Sequence, residues 1–288
     1  YPFSPNEHIF ADSNILVRED EPSSIISYML GSTFYNEKLQ RKQELRMSKA
    51  SNLFSNESKE RPTEFPSNET KSFFSEMFPE TDEAERPWRF SFQGGSTSFT
   101  CKIYFAEQFD MLRKSCGCDE IFISSLARCN TYDASGGKSG SIFLKTKDER
   151  FLIKQISKYE MDAFLGSANK YFLYMFNEVF DKGIPTVLCK IFGLYRIGFY
   201  NNVSGKSMKM DILVMENLFY DTSVKRVYDL KGSMRNRYAE KTGKDVEVFL
   251  DENLVEIISK TPIYMRVDTK YNLSDSLYND TQFLMSLD

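Results

Sequence analysis

Ser135-Gly136-Gly137-Lys138-Ser139-Gly140 stands just before an apolar run, Ile142-Phe143-Leu144, which turns through Lys145–Glu149 into a second run, Arg150–Ile156. Three glycines in six residues let the backbone approach a polyphosphate closely and present amides to it. Gly137-Lys138-Ser139 also ends like a P-loop. However, Tyr132 occupies the place of that loop's first glycine, and the residues that follow have a strand pattern, not a helical one. A glycine-rich turn within a β-hairpin remains. In Leu152-Ile153-Lys154-Gln155-Ile156, strand alternation puts Lys154 on the face of Leu152 and Ile156, where an ammonium is costly unless an anion meets it. A snorkelling edge lysine is the alternative. The position 14 residues after Gly140 favours a nucleotide phosphate as the partner.

Such a lysine is usually oriented by a glutamate on the helix that follows. Ser157 with Glu160 three residues on forms a capping-box pattern at the start of a helix expected from about Lys158 to Lys182, stopped by Gly183 and Pro185. Met161, Phe164, Leu165, Ala168, Tyr171, Phe172, Met175, Phe176 and Val179 trace its apolar stripe. Glu160 is the nearest candidate for Lys154, but the capping box already gives it a task. Glu178 lies near the far end of the same helix, and the choice stays open.

Upstream, Phe99, Cys101, Ile103 and Phe105 alternate with polar residues as in a half-buried strand. Phe122, Leu126 and Cys129 are spaced for a helix capped by Asp119. Leu188–Tyr200 and Met208–Met215 flank a turn and predict a long hairpin. Beyond it come a shorter strand at Arg226–Lys231, a strand at Val246–Leu250, a helix capped by Asp251 and an amphipathic helix near Leu277–Leu287. Strands, one long helix and more strands make an α+β pattern with an antiparallel sheet.

Residues 56–85 carry a net charge of −6, whereas residues 225–244 carry +5 within a chain of net charge −4. That basic patch suits an anionic partner. From about Asn36 to Pro87 the sequence is rich in Glu, Lys, Ser, Asn and Pro without an apolar period, which predicts a linker of little fixed structure. Five cysteines without a CxxC pair, and His8 as the single histidine, argue against a disulfide framework and a zinc site. No basic segment followed by an apolar stretch opens the chain, and no run of 18 apolar residues occurs, so membrane contact is expected to be peripheral.

Gly136-Gly-Lys-Ser-Gly140, Phe151-Leu-Ile-Lys154, Val214-Met-Glu-Asn-Leu-Phe219 and Tyr228-Asp-Leu-Lys-Gly-Ser233 together closely resemble the phosphatidylinositol phosphate kinase family. Met215–Tyr220, Ser233-Met-Arg-Asn-Arg237 and Val17–Ser27 are similar to its PIKfyve-type branch, the phosphatidylinositol 3-phosphate 5-kinases. The resemblance implies a two-lobed kinase fold with an incomplete second lobe. It divides the chain into a pre-kinase segment at 1–35, an acidic flexible linker at 36–88, an N-lobe at 89–215 and the start of a C-lobe at 216–288. Gly136, Gly137, Lys138, Ser139 and Gly140 would form the phosphate loop, with Lys154 on ATP. Met215, Glu216, Asn217 and Leu218 would be the hinge that reads adenine. Lys231 would meet a phosphate in the cleft, and Arg235 and Arg237 would meet a lipid headgroup, as arginine forks match phosphate oxygens.

The implied activity is ATP-dependent phosphorylation of phosphatidylinositol 3-phosphate at position 5. The alternatives are a phosphatidylinositol 4-phosphate 5-kinase or a non-catalytic nucleotide- or phosphoinositide-binding module. ATP and Mg²⁺ are the implied cofactors, with the metal ligands and the catalytic aspartate expected beyond Asp288. The implied partner is an anionic phosphoinositide membrane, with no nucleic acid, in a cytoplasmic protein peripheral on endosomal or vacuolar membrane.

Overall fold

The structure, a computed structural model, describes residues 4–57, 86–132, 142–243 and 246–287. A seven-stranded antiparallel sheet organises it. In chain order the short strands β1 (Glu7–His8) and β2 (Val17–Arg18) pair with each other and lead into α1 (Pro22–Gly31) and α2 (Thr33–Glu57). The sheet strands are β3 (Trp88–Gly94), β4 (Thr97–Tyr104), β5 (Cys129–Thr131), β6 (Phe143–Thr146), β7 (Phe151–Ile156), β8 (Ile191–Asn201) and β9 (Ser207–Glu216), and their spatial order is β3-β4-β8-β9-β7-β6-β5. Helices α3 (Ala106–Ser115) and α4 (Asp119–Leu126) follow β4, and α5 (Lys158–Leu173) follows β7. Farther on, β10 (Arg226–Tyr228) and β11 (Glu247–Phe249) form a separate parallel pair before α6 (Asp251–Lys260) and α7 (Val267–Met285).

Alternation along each strand divides the sheet into two faces. Phe99, Cys101 and Ile103 of β4, Ile153 of β7, Tyr195 of β8 and Val214 of β9 are buried in the core with Ile25 and Ile26 of α1, Phe109 and Leu112 of α3, and Phe122 and Leu126 of α4. Burial of side chains this size, at about 1.5–3 kcal/mol each, is what holds the helices to the sheet. The Arg113 guanidinium is buried there too, donating to the Phe192 carbonyl at 2.9 Å and lying 4.9 Å from the Phe122 ring centre. On the opposite face, cross-strand register aligns Lys154 with Leu213, and Ile156 with Asp211, whose carboxylate pairs with Arg196 at 2.6 Å.

The antiparallel sheet and the β8–β9 hairpin match the pattern expected from the sequence, and four features differ. Residues 36–57 do not belong to a linker. They continue α2, with Tyr35 and Leu39 buried, the Lys38 ammonium 4.8 Å above the Trp88 ring and Gln43 donating to Asp110 at 2.9 Å. A few tertiary contacts rather than an apolar stripe hold that helix, which is why periodicity missed it. Residues 58–85 lie outside the described residues. Residues 22–31, expected in a segment preceding the kinase domain, supply fully buried core residues to the same sheet. Cys129 does not end a helix: α4 stops at Leu126 and Cys129 opens β5. The long helix changes to π-helical hydrogen bonding at Tyr174–Asp181 before Gly183, at φ 69°, ends it.

Candidate functional site

Lys154 sits at the centre of β7, opposite Phe143 of β6 and Leu213 of β9. Its ammonium is 5.9 Å from the Phe143 ring centre and 2.7 Å from Glu160 Oε1. Glu160 is the third residue of α5, and its second oxygen accepts from the Ser157 amide at 2.8 Å and hydroxyl at 2.9 Å. The two oxygens of one carboxylate therefore divide the tasks that the sequence made look exclusive. The Lys154 ammonium, together with the Ser157 amide, holds the Glu160 carboxyl down at about 2, well below the usual range. Glu178 is engaged elsewhere, with Lys182 at 2.7 Å. Gly136, Gly137, Lys138, Ser139 and Gly140 lie outside the described residues, between β5 and β6, a hairpin that closes with Tyr132 N donating to the Phe143 carbonyl at 2.9 Å.

The segment Met215–Leu218 runs out of β9. The Glu216 amide donates to the Lys190 carbonyl at 3.0 Å and the Asn217 amide to the Arg150 carbonyl at 2.9 Å, so both are spent inside the fold. Asn217 further fixes the turn by donating to the Glu149 carbonyl at 2.7 Å and accepting from the Phe219 amide at 3.2 Å. Leu218 is exposed, and its amide has no hydrogen-bond partner among the described residues. Of the four expected hinge residues, Leu218 thus offers the free backbone donor, and Met215, opposite Leu152, extends the apolar wall next to Lys154.

The loop after β10 is built on Asp251. One oxygen of its buried carboxylate accepts from the Lys231 amide at 2.9 Å and the Gly232 amide at 2.8 Å, and the other accepts from Arg237 Nε at 2.7 Å. The Arg237 guanidinium, with the two amides, holds the Asp251 carboxyl at about 2. Asp251 is therefore no helix cap, as its position before an amphipathic run suggested; it ties the Asp229–Arg237 loop to α6. Arg237 also donates to the Asp229 carbonyl, so its Nε and Nη2 are both engaged by protein. The side chains of Lys231 and Arg235 are exposed and have no ion-pair partner among the described residues.

Residues 127–288 match the family model described as phosphatidylinositol-4-phosphate 5-kinase, a stretch that runs from just before β5 to the end of α7 and contains Lys154, Glu160, Met215–Leu218 and the Asp251-bound loop. The chain belongs to this family. It is 38% identical to the Saccharomyces cerevisiae 1-phosphatidylinositol 3-phosphate 5-kinase FAB1, over 100% of this chain and 15% of that protein. It is 39% identical to the putative Arabidopsis thaliana 1-phosphatidylinositol-3-phosphate 5-kinase FAB1C, over 96% of this chain and 18% of that protein. The human 1-phosphatidylinositol 3-phosphate 5-kinase is 42% identical over 68% of this chain and 10% of its own length. The chain thus spans less than a fifth of the length of each of these relatives.

Within this kinase-family chain, three acidic positions carry more of the geometry than sequence reasoning assigned to them. Glu160 left a signal in its capping box, whereas Asp251 gave only the appearance of a cap, because its partners lie about twenty residues upstream. Asp280 gave none. It is buried on α7 and accepts from the Tyr174 hydroxyl at 2.7 Å, the Thr186 hydroxyl at 2.6 Å and the Val187 amide at 2.7 Å, while Phe283 stacks on Tyr174 at 4.3 Å. These contacts bolt α7 to the π-helical turn. Among the described residues no three His, Cys, Asp or Glu side chains gather closely enough to hold a metal ion by themselves.

Proposed function

We propose that this chain is the nucleotide-binding part of a lipid kinase that transfers the γ-phosphoryl group of ATP to the 5-hydroxyl of phosphatidylinositol 3-phosphate, giving phosphatidylinositol 3,5-bisphosphate. The observation that carries this reading is the Lys154–Glu160 pair at 2.7 Å, on the strand and helix after a glycine-rich hairpin, in a chain of this family. An ammonium held by one carboxylate is fixed in direction yet keeps two protons for a phosphate oxygen, and it offsets charge that builds on the transferring group. The glycine segment would present amides to the same phosphates, and Met215–Leu218 would border the adenine, with the Leu218 amide as its donor.

Lys231 and Arg235, projecting from the loop that Asp251 holds, would meet the headgroup phosphates. Arg237 serves that surface by positioning the loop. Two lobes would meet here, with β3–β9 and the helices around them forming one and β10, β11, α6 and α7 opening the other. The proposed site of action is the surface of endosomal or vacuolar membrane, and no helix among the described residues is long and apolar enough to cross a bilayer. The substrate preference follows the printed names of the relatives, which are 3-phosphate 5-kinases. The test uses full-length protein with ATP and vesicles carrying either phosphatidylinositol 3-phosphate or phosphatidylinositol 4-phosphate. A 3,5-bisphosphate product from the first and little turnover of the second is expected. Preference for the 4-phosphate would move the protein to the other substrate class, and no turnover of either would leave a binding module.

A further inference from the structure

Glu21 immediately precedes α1 but does not cap it with its side chain. Its carboxylate instead reaches across to β5. One oxygen accepts from the amide of Cys129, the first residue of that strand, and the other lies 3.1 Å from Arg18 Nη1 and 3.6 Å from Arg128 Nε. Behind Glu21 the support is rigid. Ile25 and Ile26 are fully buried, the Ser27 hydroxyl donates to the Ile123 carbonyl at 2.6 Å, and Arg18 is braced in turn by Glu7 at 3.0 Å.

The strand on the receiving side is short and packs on the core through Cys129. β5 has three residues, two of them exposed, stands at the edge of the sheet and pairs with β6 alone. So short an edge strand contributes little stability by itself. Packing around the contact is open, with one cavity of about 380 Å³ between Asn6, Arg18, Thr131 and Leu144. A second, of about 300 Å³, lies between Asp20, Ile142, Ile153 and Met210. The polar tether at Glu21 therefore joins the packing of Cys129 against the core in holding β5 in place. From β5 the register passes directly to the candidate site, because Thr131 pairs with Leu144 of β6 and the preceding residue, Phe143, faces Lys154.

We propose that Glu21 is a positioning residue of the nucleotide site: it fastens β5 to the α1 segment and so steadies the outer edge of the β6–β7 ladder in which Phe143 faces Lys154. The inference rests on the reading of Lys154 as an ATP-binding residue. It makes the segment before α1 part of the nucleotide site's frame, although that segment lies outside the stretch matched by the family model.

The test measures steady-state turnover of the full-length protein, titrating ATP at saturating phosphatidylinositol 3-phosphate vesicles and then the lipid at saturating ATP. Glu21→Ala should raise the KM for ATP about tenfold, as expected for loss of a charged hydrogen bond that holds a strand, and leave the KM for lipid within about twofold. Glu21→Gln, whose amide oxygen still accepts from Cys129, should recover most of that loss. An unchanged KM for ATP, equal rises in both KM values, or no recovery with Gln would each overturn the proposal. Should Glu21→Ala not fold, Glu21→Asp, one methylene short of Cys129, carries the same expectation and the same refutations. Lys154→Met is measured alongside. If it turns over at the wild-type KM for ATP, the underlying reading falls and the proposal with it. If it loses ATP use while Glu21→Ala keeps it, the proposal alone falls.

Discussion

Replacing Glu160 by Gln separates the two roles that meet on one side chain. Glutamine is as good a capping-box residue as glutamate, so acceptance from the Ser157 amide should survive, while the charge opposite Lys154 disappears. At 2.7 Å the Coulomb attraction of the pair runs from ~1.5 kcal/mol with the dielectric constant of water to ~6 kcal/mol with an effective value of ~20. Glu160 is 39% exposed and Lys154 25% exposed, so solvent screening and side-chain ordering reduce the net stabilisation to about 0.5–1 kcal/mol. The larger effect falls on the direction of the ammonium. Losing an orientation worth about 1.4 kcal/mol raises the KM for ATP about tenfold.

The assay pairs an ATP titration of full-length protein with hydrogen exchange at the Ser157 and Glu160 amides. A raised KM with both amides still protected is expected. An unchanged KM, or protection lost in step with it, would refute the division of labour and leave Glu160 a cap. The acid response has a definite sign. Because Lys154 depresses the folded-state pKa of Glu160 to about 2 from 4.5, the contribution of the pair is fully present above 4.5 and is lost as the pH falls toward about 2. Any stability difference between wild type and Glu160→Gln should therefore be constant at neutral pH and shrink below 4.5.

Asp251→Ala should release the loop it anchors, with exchange at the Lys231 and Gly232 amides at least about tenfold faster and protection elsewhere in β7 and β9 unchanged; equal protection in the variant would mean that the loop holds itself. In the wild type the same protection should persist below the usual carboxyl value of 3.8 and disappear as the pH approaches about 2. Ile26→Ala should destabilise the sheet locally by about 2–5 kcal/mol, read as faster exchange of β4 and β8 amides in full-length protein, since Ile26 is fully buried in their shared core. Unchanged protection there would return α1 to a separate segment.

Periodicity and punctuation were enough for much of this protein. Alternation in Phe99–Ile103 and in Leu152–Ile156, the capping box at Ser157 and the stop at Gly183 are local signals, carried by residues a few positions apart. They placed Lys154 on its strand and the long helix behind it. Resemblance at Met215–Leu218 and at Asp229–Ser233 added the expected neighbours of a nucleotide and a headgroup, and both segments fall inside the stretch that matches the family model. What the sequence could not supply were pairings at a distance. The tie between Asp251 and the Lys231 amide, the three bonds that converge on Asp280, the tether from Glu21 to Cys129 and the docking of α2 through Lys38 and Gln43 join residues from about twenty to more than a hundred positions apart. Carboxylates at helix starts look alike in a sequence whether they cap their own helix or reach elsewhere. The direction of the side chain is decided by which unpaired backbone amides the folded chain brings within about 3 Å, where leaving a buried donor unmet would cost more than a cap returns.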